Sequence, residues 1–177
     1  VDERERLNLF EQTVLPHLDA AYNLARWLAG NEPDAQDVAQ EACLRAFKFF
    51  GGFHGTNPRA WLLAIVRNTF YTWLRKNRPS EITAGLDEEA LEVEDVSANA
   101  EILQARLNDA EAVRGAVAAL PVEFREVIIL REMEGLSYRE ISEMAGVPIG
   151  TVMSRLARAR AQLQKSLAAE FKPGGRP

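Results

Sequence analysis

The stretch Ser137–Leu163, SYREISEMAGVPIGTVMSRLARARAQL, leaves this chain few structures to choose from. Ser137 is an N-cap residue ahead of a short amphipathic run. Gly146 supplies the positive φ that ends a first helix, and Pro148 suits the first turn of a second, where a missing N–H costs nothing. Ile141, Ala145, Val147, Val152 and Leu156 are spaced to make a small internal core that holds two helices at a steep angle. At about 100° per residue, Val152, Leu156, Ala159 and Leu163 fall on one side of the second helix. Gly150, Thr151, Ser154, Arg155, Ala157, Arg158 and Ala161 fall on the other. This is the pattern of a helix-turn-helix. A face of small residues, hydroxyls and arginines can sink into the DNA major groove while its donors reach bases and phosphates. The plainer reading is a helical hairpin whose arginines solvate its surface.

A formal charge of −5 argues against a nucleic-acid binder until its distribution is read. Residues 1–80 carry ten basic and nine acidic side chains, and residues 112–177 carry ten and seven. Residues 81–111 carry one basic side chain, Arg106, against ten acidic ones. The acidity therefore belongs to the middle, and Arg59 to Arg78 has no acidic residue at all. Both flanks are free to meet DNA. The lone Cys43 excludes an internal disulfide and reads as a small buried hydrophobe. With only His17 and His54 beside it, no metal site and no cofactor are expected. No apolar run approaches the roughly 20 residues of a membrane span, and VDERERLNLFEQ lacks the apolar core of a signal peptide. The expectation is a cytoplasmic protein without membrane insertion.

Leu7, Phe10, Val14, Leu18, Ala21, Leu24, Ala25 and Leu28 recur at helical spacing, with a break or kink allowed at Pro16. A turn at Asn31-Glu32-Pro33 follows, and Asp34 is placed to cap the next helix. In DAQDVAQEACLRAFKFF, Val38, Ala39, Ala42, Cys43, Ala46 and Phe47 make one apolar side. Asp37, Gln40, Glu41, Leu44, Arg45 and Lys48 make the other, where Leu44 is either an isolated exposed leucine or the centre of a docking face for another protein. In the glycine-rich loop 51–58, Phe53 and His54 are candidates for stacking on unpaired bases, while Phe53 is equally a candidate plug under the loop. The helix from Arg59 to about Asn77 is apolar around most of its girth, so it is central to its domain. Its polar strip is Asn68, Thr72, Arg75 and Lys76, with Arg67 and Tyr71 at the margin, an arrangement suited to phosphates and exposed bases. Trp61, Phe70 and Trp73 read as core.

Residues 79–100 read as a linker of low intrinsic order. A helix is expected from Ala100 to Leu120 and another from Glu123 to Glu132, with Phe124, Val127, Ile128, Ile129 and Leu130 as its core. The tail 171–177 is expected to be disordered. No strand pattern occurs, so the fold class is all-α, with two small helical domains joined by an acidic flexible linker. The boundaries are 1–78, linker 79–100, and 101–170.

Three segments in this order resemble one family closely, the extracytoplasmic-function (ECF, group IV) sigma factors of bacterial RNA polymerase. DAQDVAQEACLRAF is similar to the family's polymerase-docking helix and PRAWLLAIVRNTFYTWLRKNR to its downstream-promoter helix. LPVEFREVIILREMEGLSYREISEMAGVPIGTVMSRLARARAQL is similar to its upstream-promoter domain. The resemblance implies a non-enzymatic initiation factor that binds core RNA polymerase, carries it to promoter DNA, helps to open the strands, and is held inactive by an anti-sigma factor. It implies polymerase contacts from Asp37, Gln40, Glu41 and Leu44. Phe53, His54 and Asn57 fall in the loop that captures an extruded base of the minus-ten element, and Arg67, Asn68, Tyr71, Thr72 and Arg75 on the helix that meets the same element. Thr151, Met153, Ser154, Arg155 and Arg158 are implied at the minus-thirty-five element, Ser154 and Arg158 as base readers and Arg155 on a phosphate. Met153 departs from the pattern, because many relatives carry arginine there and methionine cannot supply its charge or its paired hydrogen bonds. The acidic linker is implied to thread the polymerase near the path of the RNA. An ordinary helix-turn-helix regulator would explain residues 112–170 but not the two preceding helices, and a helical interaction module that binds no DNA has only the net charge in its favour.

Overall fold

The computed structural model describes residues 2–82 and 110–170, and every regular element among them is helical. The chain divides into two compact units, Val1–Ser80 and Glu81–Pro177. The helix expected to resume at Ala100, most of the acidic linker, and the tail lie outside the described residues, except that Ala110 to Leu120 is seen.

In the first unit α1 (Glu3–Val14) runs into α2 (Leu18–Ala29) through a single 3₁₀ turn, Leu15–His17, at Pro16. Gly30, at φ 85°, ends α2 in the left-handed region that glycine adopts without strain. The next helix, α3 (Glu32–Phe49), begins two residues before Asp34. Asn31 is its cap, the Asn31 Oδ1 accepting from the Asp34 N–H at 3.0 Å, and Pro33 lies in its first turn. The expected Asp34 cap is therefore wrong by one helical turn. The helix α4 (Pro58–Asn77) is capped in the same way by Asn57, whose Oδ1 accepts from the Ala60 N–H at 3.0 Å.

α2, α3 and α4 pack against one another, and α1 lies against α4. The side of α3 turned inward is Ala35, Val38, Ala42 and Ala46, all buried, so its backbone comes close to its neighbours. The larger volume comes from Leu24 and Leu28 of α2 and from Leu62, Leu63, Val66, Phe70 and Leu74 of α4. Leu7, expected in this core, is exposed.

In the second unit α5 (Ala110–Ala118), α6 (Val122–Ile128) and α7 (Tyr138–Ala145) all pack on the long α8 (Ile149–Glu170). α6 does not end as an α-helix. Ile129–Met133 continues it as a π-helical turn, with the Glu134 N–H donating to the Ile129 carbonyl at 3.0 Å. From Phe124 to Leu130 every residue is buried, Arg125 and Glu126 included. Arg125 is not a misplaced charge, for its Nη2 donates to the Ala118 and Leu120 carbonyls at 3.2 and 3.1 Å. It thereby closes the C-terminal end of α5.

Candidate nucleic-acid and docking interfaces

The turn between α7 and α8 is built as its sequence requires. Ser137 and Glu140 form a capping box, each side chain accepting from the other's backbone N–H, at 3.1 and 3.0 Å. Gly146 stands at φ 68°. The Ser142 hydroxyl donates to the Val147 carbonyl at 2.5 Å, a lock on the turn that hydrophobic spacing gave no sign of. Pro148 precedes α8 instead of lying in its first turn, and its carbonyl accepts the Thr151 and Val152 N–H groups at 3.0 and 3.2 Å. Ile141, Val152 and Leu156 are buried as expected, whereas Ala145 and Val147 are only half-buried.

Along α8 the buried side is Val152, Leu156, Ala159, Leu163 and Leu167. Met153 and Ser154 are exposed, and Thr151, Arg155 and Arg158 are half-buried at the edges of the outward strip. Arg160 is withdrawn from that strip, its guanidinium gripping the Glu132 carboxylate on the π-helical turn. The helix thus shows solvent a narrow strip of small, hydroxyl and thioether side chains bordered along one side by guanidinium groups.

α3 sorts as cleanly. Opposite its buried alanines stand Asp37, Gln40, Glu41 and Leu44, all exposed, Leu44 by 66%. Arg45 pairs with Glu41 at 3.0 Å along the same helix, which keeps the carboxylate beside the leucine. The C-terminal end of α3 is closed by Arg6, whose Nη2 donates to the Phe47 and Lys48 carbonyls at 2.8 and 3.0 Å. Cys43 is half-buried, and burial raises its thiol pKa, which favours the protonated thiol.

In the loop before α4 the Phe53 ring is packed on Trp61 at 5.0 Å and stacked on Phe50 at 6.3 Å. A Cβ on Gly55 would meet that ring at 3.1 Å, a tight contact that the ring would have to yield to by a few tenths of an ångström. Phe53 is half-buried against these rings, and His54 is exposed. Asn57 shares its side chain with the α4 cap. On α4 itself Asn68, Thr72, Arg75 and Lys76 are exposed in one strip. At its margin the Arg67 guanidinium lies 4.3 Å over the Tyr71 ring and donates to Asn68 Oδ1 at 3.1 Å. Phe70 is fully buried, and Trp61 and Trp73 are partly covered by ring partners.

Arg78 leaves the basic strip altogether. Its Nη2 donates to the Ala29 carbonyl at 3.0 Å and to Asp34 Oδ2 at 2.6 Å, and its guanidinium lies 4.8 Å over Trp73. One side chain ties the ends of α2 and α4 to the start of α3. Arg78→Ala is expected to cost about 1 kcal/mol of unfolding free energy, read as a lower urea midpoint, while Arg75→Ala on the exposed strip leaves the midpoint unchanged.

Comparison with known proteins gives each unit a family match. The Sigma-70 region 2 model matches residues 13–79 and the Sigma-70, region 4 model matches residues 110–163. The ECF RNA polymerase sigma factor SigW of Bacillus subtilis is 30% identical over 168 residues, covering 89% of this chain and 88% of the relative. The chain belongs to the ECF sigma factors. ECF sigma factors are transcription initiation factors that join core RNA polymerase and direct it to promoters. SigE of Mycolicibacterium smegmatis is 35% identical over 90% of this chain, which spans 62% of that relative's length. Among solved structures, the sigma factor RpoE in complex with the anti-sigma factor NepR from Bartonella quintana matches with a TM-score of 0.68 at 28% identity. That match covers 91% of this chain and 98% of RpoE. Among the described residues no helix of this sigma factor is long and apolar enough to cross a membrane.

Proposed function

We propose that this sigma factor acts by binding alone, in the cytoplasm, through three separate surfaces. The outer face of α3, with Asp37, Gln40, Glu41 and Leu44, docks on core RNA polymerase. His54 with the loop that Phe53 and Asn57 hold in shape, and the α4 strip of Arg67, Asn68, Tyr71, Thr72 and Arg75, receive the opened downstream element. Phosphates meet the guanidinium groups there, and a flipped base is held by the loop, whose contacts offset the few kcal/mol of unpairing. The outward strip of α8, with Thr151, Met153, Ser154, Arg155 and Arg158, reads the upstream element. The working domains are 1–78 and 101–170. The linker 79–100 and its flanks, at nine net negative charges over residues 81–111, suit a channel built for a polyanion. An anti-sigma factor controls the protein by covering these surfaces, as a complex of that kind is known for RpoE.

The observation that carries the reading is the exposure of Leu44 at the centre of a carboxylate and amide face, on a helix whose other side is fully committed to the core. Permanganate, which oxidises unpaired thymines, tests the opening role. Holoenzyme reconstituted from the full chain and core polymerase is expected to render thymines of the downstream element reactive. Asn68→Ala combined with Arg75→Ala should lower that reactivity by about tenfold, the worth of one lost base or phosphate contact. A duplex that is bound but stays unreactive with the unaltered protein would refute the opening role.

A further inference from the structure

Among the described residues of the second unit two large apolar side chains are exposed, Ile149 by 44% and Met153 by 53%. They stand one turn apart at the start of α8. By helical geometry Met153 lies about 100° round from the buried Val152, and Ser154 a further 100° beyond it, with Arg158 and Thr151 past Ser154. The outward strip therefore has an apolar edge and a polar edge, separated by Gly150 and Ala157. At Gly150 an added Cβ would meet nothing within 4 Å, so no contact inside the protein calls for glycine there. The missing side chain leaves backbone bare between the two edges, where an outside surface can approach.

The major-groove edges of the four base pairs offer donors, acceptors and one apolar group, the C5 methyl of thymine. Methionine and isoleucine have nothing to give a purine acceptor, and setting them against one strands a polar group. Against a thymine methyl they bury apolar surface on both sides. We infer that Ile149 and Met153 are a thymine-methyl reader, which makes one or two adjacent thymines part of the upstream element beside the bases met by Ser154 and Arg158. The inference rests on the assignment of α8 as the reading helix and adds a chemical preference to it. Promoter DNA is the occupant because the patch is continuous with hydroxyl and guanidinium groups along the same strip, the mixture of apolar and polar chemistry that a major groove and its phosphates present.

Replacing thymine by uracil removes the methyl and keeps the O4 acceptor, so it isolates the contact. Holoenzyme should first select its upstream element from a randomised promoter library. Uracil at one or two of the selected thymines is then expected to weaken binding about fourfold, the worth of one buried methyl group. Met153→Ala should abolish that sensitivity. A selected element with no required thymine, uracil that is silent at every position, or sensitivity that survives Met153→Ala would overturn the inference, the last two leaving the patch to a protein partner. Arg158→Ala keeps this failure apart from that of the reading helix. Relaxed selection in Arg158→Ala with silent uracil removes only the methyl reader, whereas affinity and selection both unchanged in Arg158→Ala remove α8 as the reading helix.

Discussion

Replacing Asp37 and Leu44 together by alanine is expected to weaken association with core RNA polymerase by about ten- to a hundredfold, the usual cost of losing a central interface anchor. Both side chains are exposed on α3, and neither takes part in the packing of α2, α3 and α4, so the fold has no share in the loss. The physical reason for a large effect is the arrangement of the face. A leucine exposed by 66% is costly in water and gains most when a partner covers it. The carboxylates around it supply steering and orientation. Binding measured by surface capture of core polymerase, with circular dichroism showing an unchanged helical spectrum, checks the expectation. Polymerase affinity equal to that of the unaltered chain would remove α3 as the docking helix.

Arg158→Ala is expected to cost about 1–3 kcal/mol of binding to the preferred upstream element and to relax base choice at one position, as the loss of a paired guanidinium contact does. Arg160→Ala is the matched control. The two arginines are two residues apart on α8, but Arg160 turns back to Glu132 and its loss should leave base choice untouched. The comparison is made on a panel of single-base variants. A uniform loss across the panel for Arg158→Ala would make it a phosphate contact instead of a reader.

The two arginines also show what a sequence can reveal about such a site. Angular position along α8 was enough to separate them, because one helix with one buried stripe has a predictable outside. The same geometry put Leu44 among the charges of α3 and Asn68, Thr72 and Arg75 on one strip of α4. It failed where a side chain's partner comes from a distant part of the chain. Arg78 looks like a surface charge in sequence, yet it closes the C-terminal end of α2 from 49 residues away. Arg6 does the same for α3 from 41 residues away. Asn31 and Asp34 are both capping residues, and local chemistry alone cannot choose between them. In the structure Asn31 accepts the Asp34 N–H, and the Asp34 carboxylate accepts from both Asn31 Nδ2 and Arg78. Phe53 was undecided because its place depends on how the loop folds it against Phe50 and Trp61, which residue type and spacing do not show. The π-helical turn after Ile128 has no signature in apolar spacing, because a run buried on every side has no period to read.

Transcription from defined start sites is the most direct measure of the central claim, that this chain gives RNA polymerase its promoter. Core polymerase, the full chain and a library of promoter fragments should together produce run-off transcripts. These should begin at fixed distances from a shared upstream and downstream element and be absent when the chain is omitted. Transcripts that start at random positions, or at the same positions without the chain, would contradict it.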